Sequence, residues 1–152
     1  MAIVANSGLS HIALRVTDVS RAIAWYREVL GFEVLTGGHA PTPDRTRNAI
    51  GLIGGGSIAL EFLETPKGSA HTVETLGVAG VSLTVPDIDA AVAAYNASGR
   101  GRTAVYPAED WRVAFLFDPD GNVVELVQQP PGVASIAGFA DTLRARRNTA
   151  PA

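Results

Sequence analysis

The chain has 152 residues, of which 47% are hydrophobic, a formal net charge of −3 and no cysteine. This length allows one compact domain, or two half-size modules that share a buried core. The missing cysteine excludes disulfides, thiolate metal ligands and a cysteine nucleophile, and the slightly acidic balance argues against a nucleic-acid partner. No apolar run approaches the ~20 residues that span a bilayer, and the N-terminus lacks signal-peptide features. We therefore expect a cytoplasmic protein with no membrane contact.

The first half of the chain predicts one helix among four strands. Apolar residues recur with helical spacing between Ala22 and Leu30. Asp18 or Ser20 can accept the free amide hydrogens at the start of this helix, and Gly31 can take the left-handed conformation at its end. The remaining predictions are strands at 9–16 and 32–35, a Gly/Pro-rich loop at 37–44, and a hairpin of strands at about 47–53 and 57–63.

The second half repeats this order. Pro86 and Asp87 can begin a helix that Gly99 ends, and Asp118-Pro119-Asp120-Gly121 predicts a type I turn. The predicted strands are 78–85, one near 102–106, 113–117 and 122–127. A further amphipathic helix at 133–147 lies outside the repeat.

Matching residues in the two halves indicate an internal repeat. Each half has a strand that leads to an Asp, Asp18 or Asp87, and a later strand with a central Glu, Glu61 or Glu125. Such a repeat indicates two copies of one supersecondary unit. We predict an α+β fold in which two βαβββ modules form a curved mixed sheet around a central cavity, plus a C-terminal helix. The predicted bounds are 8–66 for module 1, 67–76 for a linker, 77–130 for module 2 and 131–152 for a helical appendage and tail.

Three motifs are specific enough to compare with known families. They are His11-Ile12-Ala13-Leu14-x-Val16-x-Asp18, Ala22-x-x-Trp25-Tyr26-x-x-x-Leu30-Gly31-Phe32, and Phe117-Asp118-Pro119-Asp120-Gly121-Asn122-x-x-Glu125-Leu126. Together they resemble the vicinal oxygen chelate superfamily, which includes glyoxalase I, fosfomycin- and bleomycin-resistance proteins and extradiol dioxygenases. The resemblance covers residues 8–130. It implies metal ligands on the first and last strands of each module, which here are His11, Glu61, position 80 and Glu125.

The resemblance implies that His11, Glu61 and Glu125 hold one divalent metal ion (Fe, Mn, Ni, Co or Zn), since imidazole and carboxylate donors suit these ions. An ion there can polarise a carbonyl and stabilise an enolate. Glu61 and Glu125 are then the candidate catalytic residues, with Glu61 as the general base. We predict a lyase or isomerase that acts on a small oxygenated substrate, which can be aromatic.

Other functions remain open because Gly80 stands where the family pattern has a second histidine. One is a ferrous dioxygenase acting on an aromatic or polyketide-like substrate. Another is a metal-free drug- or natural-product-binding protein of the bleomycin-resistance type, and a third is a structural or regulatory subunit. In a metal-free protein the two Glu side chains would pair with arginines, for which the candidates are Arg15, Arg47 and Arg112.

The missing ligand has several candidate explanations. Gly80 either makes room for a bulky substrate beside the metal or reflects loss of the site. His71, His39 or a water molecule can take the place of the absent histidine.

Four further residues are candidates for substrate contact. Ser82 faces the same side of its strand as position 80 and can donate to a substrate or a water. Arg47, with Arg45 nearby, can meet an anionic substrate, and Tyr106 and Trp111 can stack on an aromatic ligand or cover the sheet edge. We expect a homodimer with a small-molecule substrate, and a site formed either within one chain or across the dimer.

Overall fold

The structure is a computed structural model that describes residues 10–41, 47–55, 58–65, 78–108 and 111–132. The chain divides into two compact units. Unit 1 comprises Met1–Val78 with Phe117–Asn122, and unit 2 comprises Ala79–Leu116 with Val123–Ala152. The predicted linker at 67–76 and the predicted helix at 133–147 lie outside the described residues.

The described residues of unit 1 form a four-stranded mixed sheet with one helix. Its elements are β1 (Ile12–Val16), α1 (Val19–Leu30), β2 (Glu33–Pro41), β3 (Arg47–Gly55) and β4 (Ile58–Glu64). The strand order is β1-β4-β3-β2, in which β1 runs parallel to β4 and β3 runs antiparallel to both of its neighbours. This is the predicted βαβββ order.

The predicted capping residues set the bounds of α1. The Asp18 side chain accepts a hydrogen bond from the Arg21 amide at 2.9 Å, and Gly31 ends the helix with a φ of 69°. The apolar stripe of α1 packs against β3 and β4 of the sheet. This contact removes the stripe from water. The described core of this unit is Leu14, Val16, Val19, Ala22, Trp25, Tyr26, Phe32, Ile53, Leu60 and Phe62.

Unit 2 repeats the arrangement. Its elements are β5 (Val81–Thr84), α2 (Ile88–Ala97), β6 (Tyr106–Ala108), β7 (Trp111–Phe117) and β8 (Val123–Gln128). The strand order is β5-β8-β7-β6, with β5 parallel to β8 and β6 antiparallel to β7. Asp87 caps α2 by accepting from the Ala90 amide at 3.0 Å. The predicted α+β class is thereby confirmed, and the strands form two four-stranded mixed sheets.

The turn between β7 and β8 belongs to unit 1. Its organising residue is Asp118, which is only 5% exposed. The Asp118 carboxylate accepts from the backbone amides of Asp120 and Asn122 at 2.9 and 2.8 Å, and from the Asn122 side-chain amide at 2.8 Å. Gly121 N donates to Asp118 O at 3.0 Å, with a φ of 84° at Gly121. The buried Asp118 carboxylate thus provides acceptors for the backbone amides of a turn whose Pro119 and Gly121 are exposed.

Within unit 1 this turn contacts the start and the buried face of α1. Asp120 Oδ1 accepts from the Thr17 hydroxyl at 2.5 Å and from the Arg21 guanidinium at 2.9 Å. The Tyr26 hydroxyl lies 3.5 Å from Asp118 Oδ2. Burial, and then the nearby Asp118 carboxylate, raise the pKa of Tyr26 far above its usual range. Tyr26 therefore stays a neutral donor at any physiological pH.

Two predicted boundaries differ from the structure. The segment from Gly37 was predicted as a loop, but β2 continues to Pro41, because each residue from Gly37 to Pro41 has a pairing partner on β3. The strand expected near 102–106 is β6 at Tyr106–Ala108, where Tyr106 pairs with Val113. In the part of the chain that the structure describes, no helix has the length and apolar character needed to cross a membrane.

Candidate functional site

His11 and Glu61 come together at the β1–β4 pair of unit 1. Ala13 and Glu61 are pairing partners across the two parallel strands, so His11, two residues before Ala13, shares the face of Glu61. His11 Nε2 lies 3.3 Å from Glu61 Oε2, and the two side chains are 43% and 22% exposed. The contact is therefore open to solvent and to a ligand.

The second ring nitrogen of His11 also has a partner. Ser10 Oγ lies 3.1 Å from His11 Nδ1, a contact that sequence reasoning missed although Ser10 is the adjacent residue. When the ring proton is on Nδ1, it is donated to Ser10 and the Nε2 lone pair is left beside the Glu61 carboxylate. A metal-binding histidine is commonly held in this way through its other nitrogen. One imidazole nitrogen and one carboxylate oxygen are thus available to a divalent first-row metal ion.

Glu125 has a different partner in unit 2. Ser82 and Glu125 are pairing partners across the parallel strands β5 and β8, and the Ser82 hydroxyl donates to Glu125 Oε2. The sequence places Ser82 on the same side of its strand as position 80, but the strand register that brings it to Glu125 depends on tertiary structure. Ser82 thus contacts a predicted ligand directly.

Gly80 has a packing role that differs from both explanations predicted for it, which were room for a bulky substrate and loss of the site. A Cβ atom at this position would lie 2.6 Å from the Val123 carbonyl oxygen and 3.0 Å from Val123 Cβ. Real Cβ atoms do not approach a backbone oxygen so closely, and a strand backbone cannot rotate away as a side chain can. The β8 backbone therefore disfavours any side chain at position 80, including a histidine.

Arg112 was a candidate partner for the Glu61 and Glu125 side chains, but it is bound to a different carboxylate. Arg112 donates two hydrogen bonds of 2.7 Å to the Asp89 carboxylate, and these bonds lower the pKa of Asp89. Arg112 is thus engaged with Asp89, while the contacts described above pair Glu61 with His11 and Glu125 with Ser82.

Aromatic rings lie on the open face of the second sheet. Tyr106 is 52% exposed and Phe115 37% exposed, with ring centroids 6.2 Å apart. Trp111 is half-buried and pairs with Ala108. Phe115 was missed as a candidate, although it alternates with the buried residues Ala114 and Leu116 along β7 and so faces the other side.

Several candidates lie outside the described residues. His71 and Arg45 are among them, as are the side chains of His39 and Arg47, whose backbones lie in β2 and β3. Among the residues that the structure does describe, no group of three or more His, Cys, Asp or Glu side chains forms a ready metal site. A surface cavity of about 730 Å³ beside the end of α1 contains none of the predicted site residues.

Comparison with known proteins establishes the family. A model of the Glyoxalase/Bleomycin resistance protein/Dioxygenase superfamily matches residues 8–126. The chain belongs to this superfamily. The vicinal oxygen chelate resemblance predicted from the three motifs is thereby confirmed.

Relatives of this superfamily member include an enzyme and several solved structures. It is 31% identical to lactoylglutathione lyase from Haemophilus influenzae over 78% of this chain and 90% of that protein. A glyoxalase family protein from Enterococcus faecalis has a similar structure, with a TM-score of 0.66 and 26% identity over 80% of this chain and 97% of that one. FosX from Listeria monocytogenes, a fosfomycin resistance protein solved with Mn(II) and sulfate, shares the fold with a TM-score of 0.61 and 16% identity over 90% and 99% of the two chains.

Proposed function

We propose that this glyoxalase-superfamily protein is a divalent-metal-dependent lyase or isomerase that acts on a small oxygenated substrate. The observation that carries the proposal is the 3.3 Å contact between His11 Nε2 and Glu61 Oε2 on an open sheet face. A nitrogen and an oxygen donor held this close, both accessible, can share one metal ion. The 31% identity to a lactoylglutathione lyase supports lyase chemistry.

The ligands that we propose are His11, Glu61 and Glu125. The first two rest on their contact, and Glu125 rests on its equivalence to Glu61 in the repeat: each Glu pairs with the residue at the same position of a parallel first strand. The candidate ions are Fe, Mn, Ni, Co and Zn, which accept mixed nitrogen and oxygen donors. When bound, such an ion polarises a substrate carbonyl and stabilises an enolate.

The residues of the chain have distinct parts in this proposal. Ser10 orients the His11 ring through Nδ1. Glu61 is the proposed general base, because its carboxylate is accessible and can take a proton from a substrate carbon bonded to a carbonyl. Its position on β4, between paired strands, holds it more rigidly than a loop would.

Metal analysis of the purified protein tests the proposal. Protein prepared without chelator, and a sample reconstituted with each candidate ion, should hold about one ion per chain. His11→Ala and Glu61→Gln should each remove most of it, because each loses a donor. Glu64→Gln is the matched control: it makes the same change on the same strand at an exposed carboxylate, and it should retain the metal.

A protein that holds no metal after reconstitution would contradict the proposal. It would favour a metal-free binding protein, for which the exposed Tyr106–Phe115 pair is the supporting observation. If metal is bound, lactoylglutathione is the first substrate to assay, and Glu61→Gln should lower turnover by about 10²–10⁴-fold. A homodimer is part of the proposal, and sedimentation velocity of the same samples measures it.

A further inference from the structure

The two modules differ at the site where the repeat predicts them to be alike. In unit 1 the position two residues before the pairing partner of Glu61 is His11, and the partner itself is Ala13. In unit 2 the corresponding residues are Gly80 and Ser82, with Ser82 the pairing partner of Glu125. The polar residue has thus moved by two positions along the same face of the first strand.

The structure explains why position 80 carries no side chain and why the polar side chain lies at position 82. At Gly80 a side chain would meet the Val123 carbonyl oxygen at 2.6 Å. At Ser82 the side chain is exposed, and its hydroxyl donates to Glu125 Oε2. A carboxylate in a strand of this kind has several side-chain conformations, and a donor on one oxygen restricts them.

We infer that Ser82 is a positioning residue for Glu125, whose hydroxyl holds Oε2 and leaves Oε1 to a bound divalent metal ion. The inference rests on the proposed function, because it assigns Glu125 as a ligand.

Cobalt titration of the intact protein tests this inference, since Co²⁺ reports its ligand set through its visible spectrum. Ser82→Ala should weaken Co²⁺ binding by about tenfold, the lower end of the range for residues that orient a ligand. Ser82→Thr keeps the hydroxyl and should restore both the affinity and the wild-type spectrum. Thr84→Ala is the matched control, because it removes an exposed hydroxyl from the same face of β5 whose described contact is with Gln129.

A double-mutant cycle shows whether Ser82 acts through Glu125. Glu125→Gln should weaken Co²⁺ binding more than Ser82→Ala does, and adding Ser82→Ala to it should cause no further loss. Binding unchanged in Ser82→Ala, or an equal loss in both backgrounds, would overturn the inference while leaving the proposed function intact. A wild-type protein that binds no Co²⁺ would instead refute the proposed function. Circular dichroism of each variant confirms that it is folded.

Discussion

Asp118 is the buried carboxylate on which the turn before β8 depends. Burial raises its pKa above the ordinary 3.8, against the hydrogen bonds from Asn122 and Asp120, which lower it. The folded protein therefore holds this proton to higher pH than the unfolded chain does. The contribution of Asp118 to the free energy of unfolding is therefore fully present below its ordinary pKa. It is lost as pH rises through the raised pKa of the folded protein.

We expect Asp118→Asn to lower the free energy of unfolding by about 1–3 kcal/mol, because the Asn122 side-chain amide loses its acceptor. Because the stabilising contribution of Asp118 is present at low pH and is lost as pH rises, the loss should be larger at pH 4 than at pH 7. Urea unfolding of both proteins across this range measures it. Asp89→Asn is the control with the opposite trend, since Arg112 lowers the pKa of Asp89. A loss for Asp118→Asn that grows as pH rises would contradict the assigned direction.

At the level of single residues, part of the candidate site could be predicted from the sequence. The family resemblance implied that His11 and Glu61 lie on the first and last strands of one module, and the structure brings their side chains to 3.3 Å. The Ser82–Glu125 hydrogen bond and the crowding at Gly80 could not be predicted in the same way. Both depend on how closely the β5 and β8 backbones approach, which no local pattern encodes.

Gly51 and Gly80 both mark close approaches to a neighbouring element, and they differ in what lies opposite. A Cβ at Gly51 on β3 would meet the Ile23 Cδ1 atom of α1, with Val19 Cγ1 at 3.1 Å, whereas a Cβ at Gly80 would meet the Val123 backbone oxygen. The tip of an isoleucine side chain can change rotamer, but a paired strand cannot move aside. The strand pair is therefore less tolerant of added volume than the helix–strand contact.

We expect Gly80→Ala to destabilise the protein by about 1–3 kcal/mol, the usual cost of overpacking, and to cost more than Gly51→Ala. Neither glycine has a positive φ, so backbone strain does not complicate the comparison. Chemical denaturation of the two variants and the wild type measures the difference. A larger loss for Gly51→Ala would show that the α1 contact is the tighter one.

Among the elements, helices were predicted better than strands. The caps Asp18, Gly31 and Asp87 have direct sequence signals, and each lies at a helix boundary in the structure. The end of β2 was wrong because Gly37, Gly38 and Pro41 are typical of loops. Pairing with β3 overrides that preference, and such pairing is not visible in the segment itself.

The turn Phe117–Asn122 belongs to unit 1, while the strands on either side of it, β7 and β8, form the middle of the second sheet. The internal repeat predicts two modules that are each continuous in sequence. It does not indicate that the turn between β7 and β8 belongs to unit 1. Tyr26, Thr17, Arg21 and the Arg15 carbonyl all contact this turn.

We expect the two units to unfold together, because unit 1 cannot lose its turn without disturbing β7 and β8. The two tryptophans of the chain allow a direct measurement, since Trp25 is in unit 1 and Trp111 is in unit 2. Trp111→Phe and Trp25→Phe leave one reporter each. Their fluorescence transitions, each compared with circular dichroism of the same variant, should coincide within that variant. A fluorescence transition that precedes the loss of secondary structure would contradict the expectation.

The membership of this turn in unit 1 also bears on how the protein is made. The first 78 residues are synthesised before the second repeat begins, but the acceptor for the Tyr26 hydroxyl is not synthesised until residue 118. Residues 79–116 must be translated in between, which takes on the order of seconds. During that interval the nascent first module has an incomplete set of buried hydrogen bonds. An incompletely bonded module of this kind is open to chaperones and proteases, and synonymous codons that slow translation across 79–116 would prolong this state.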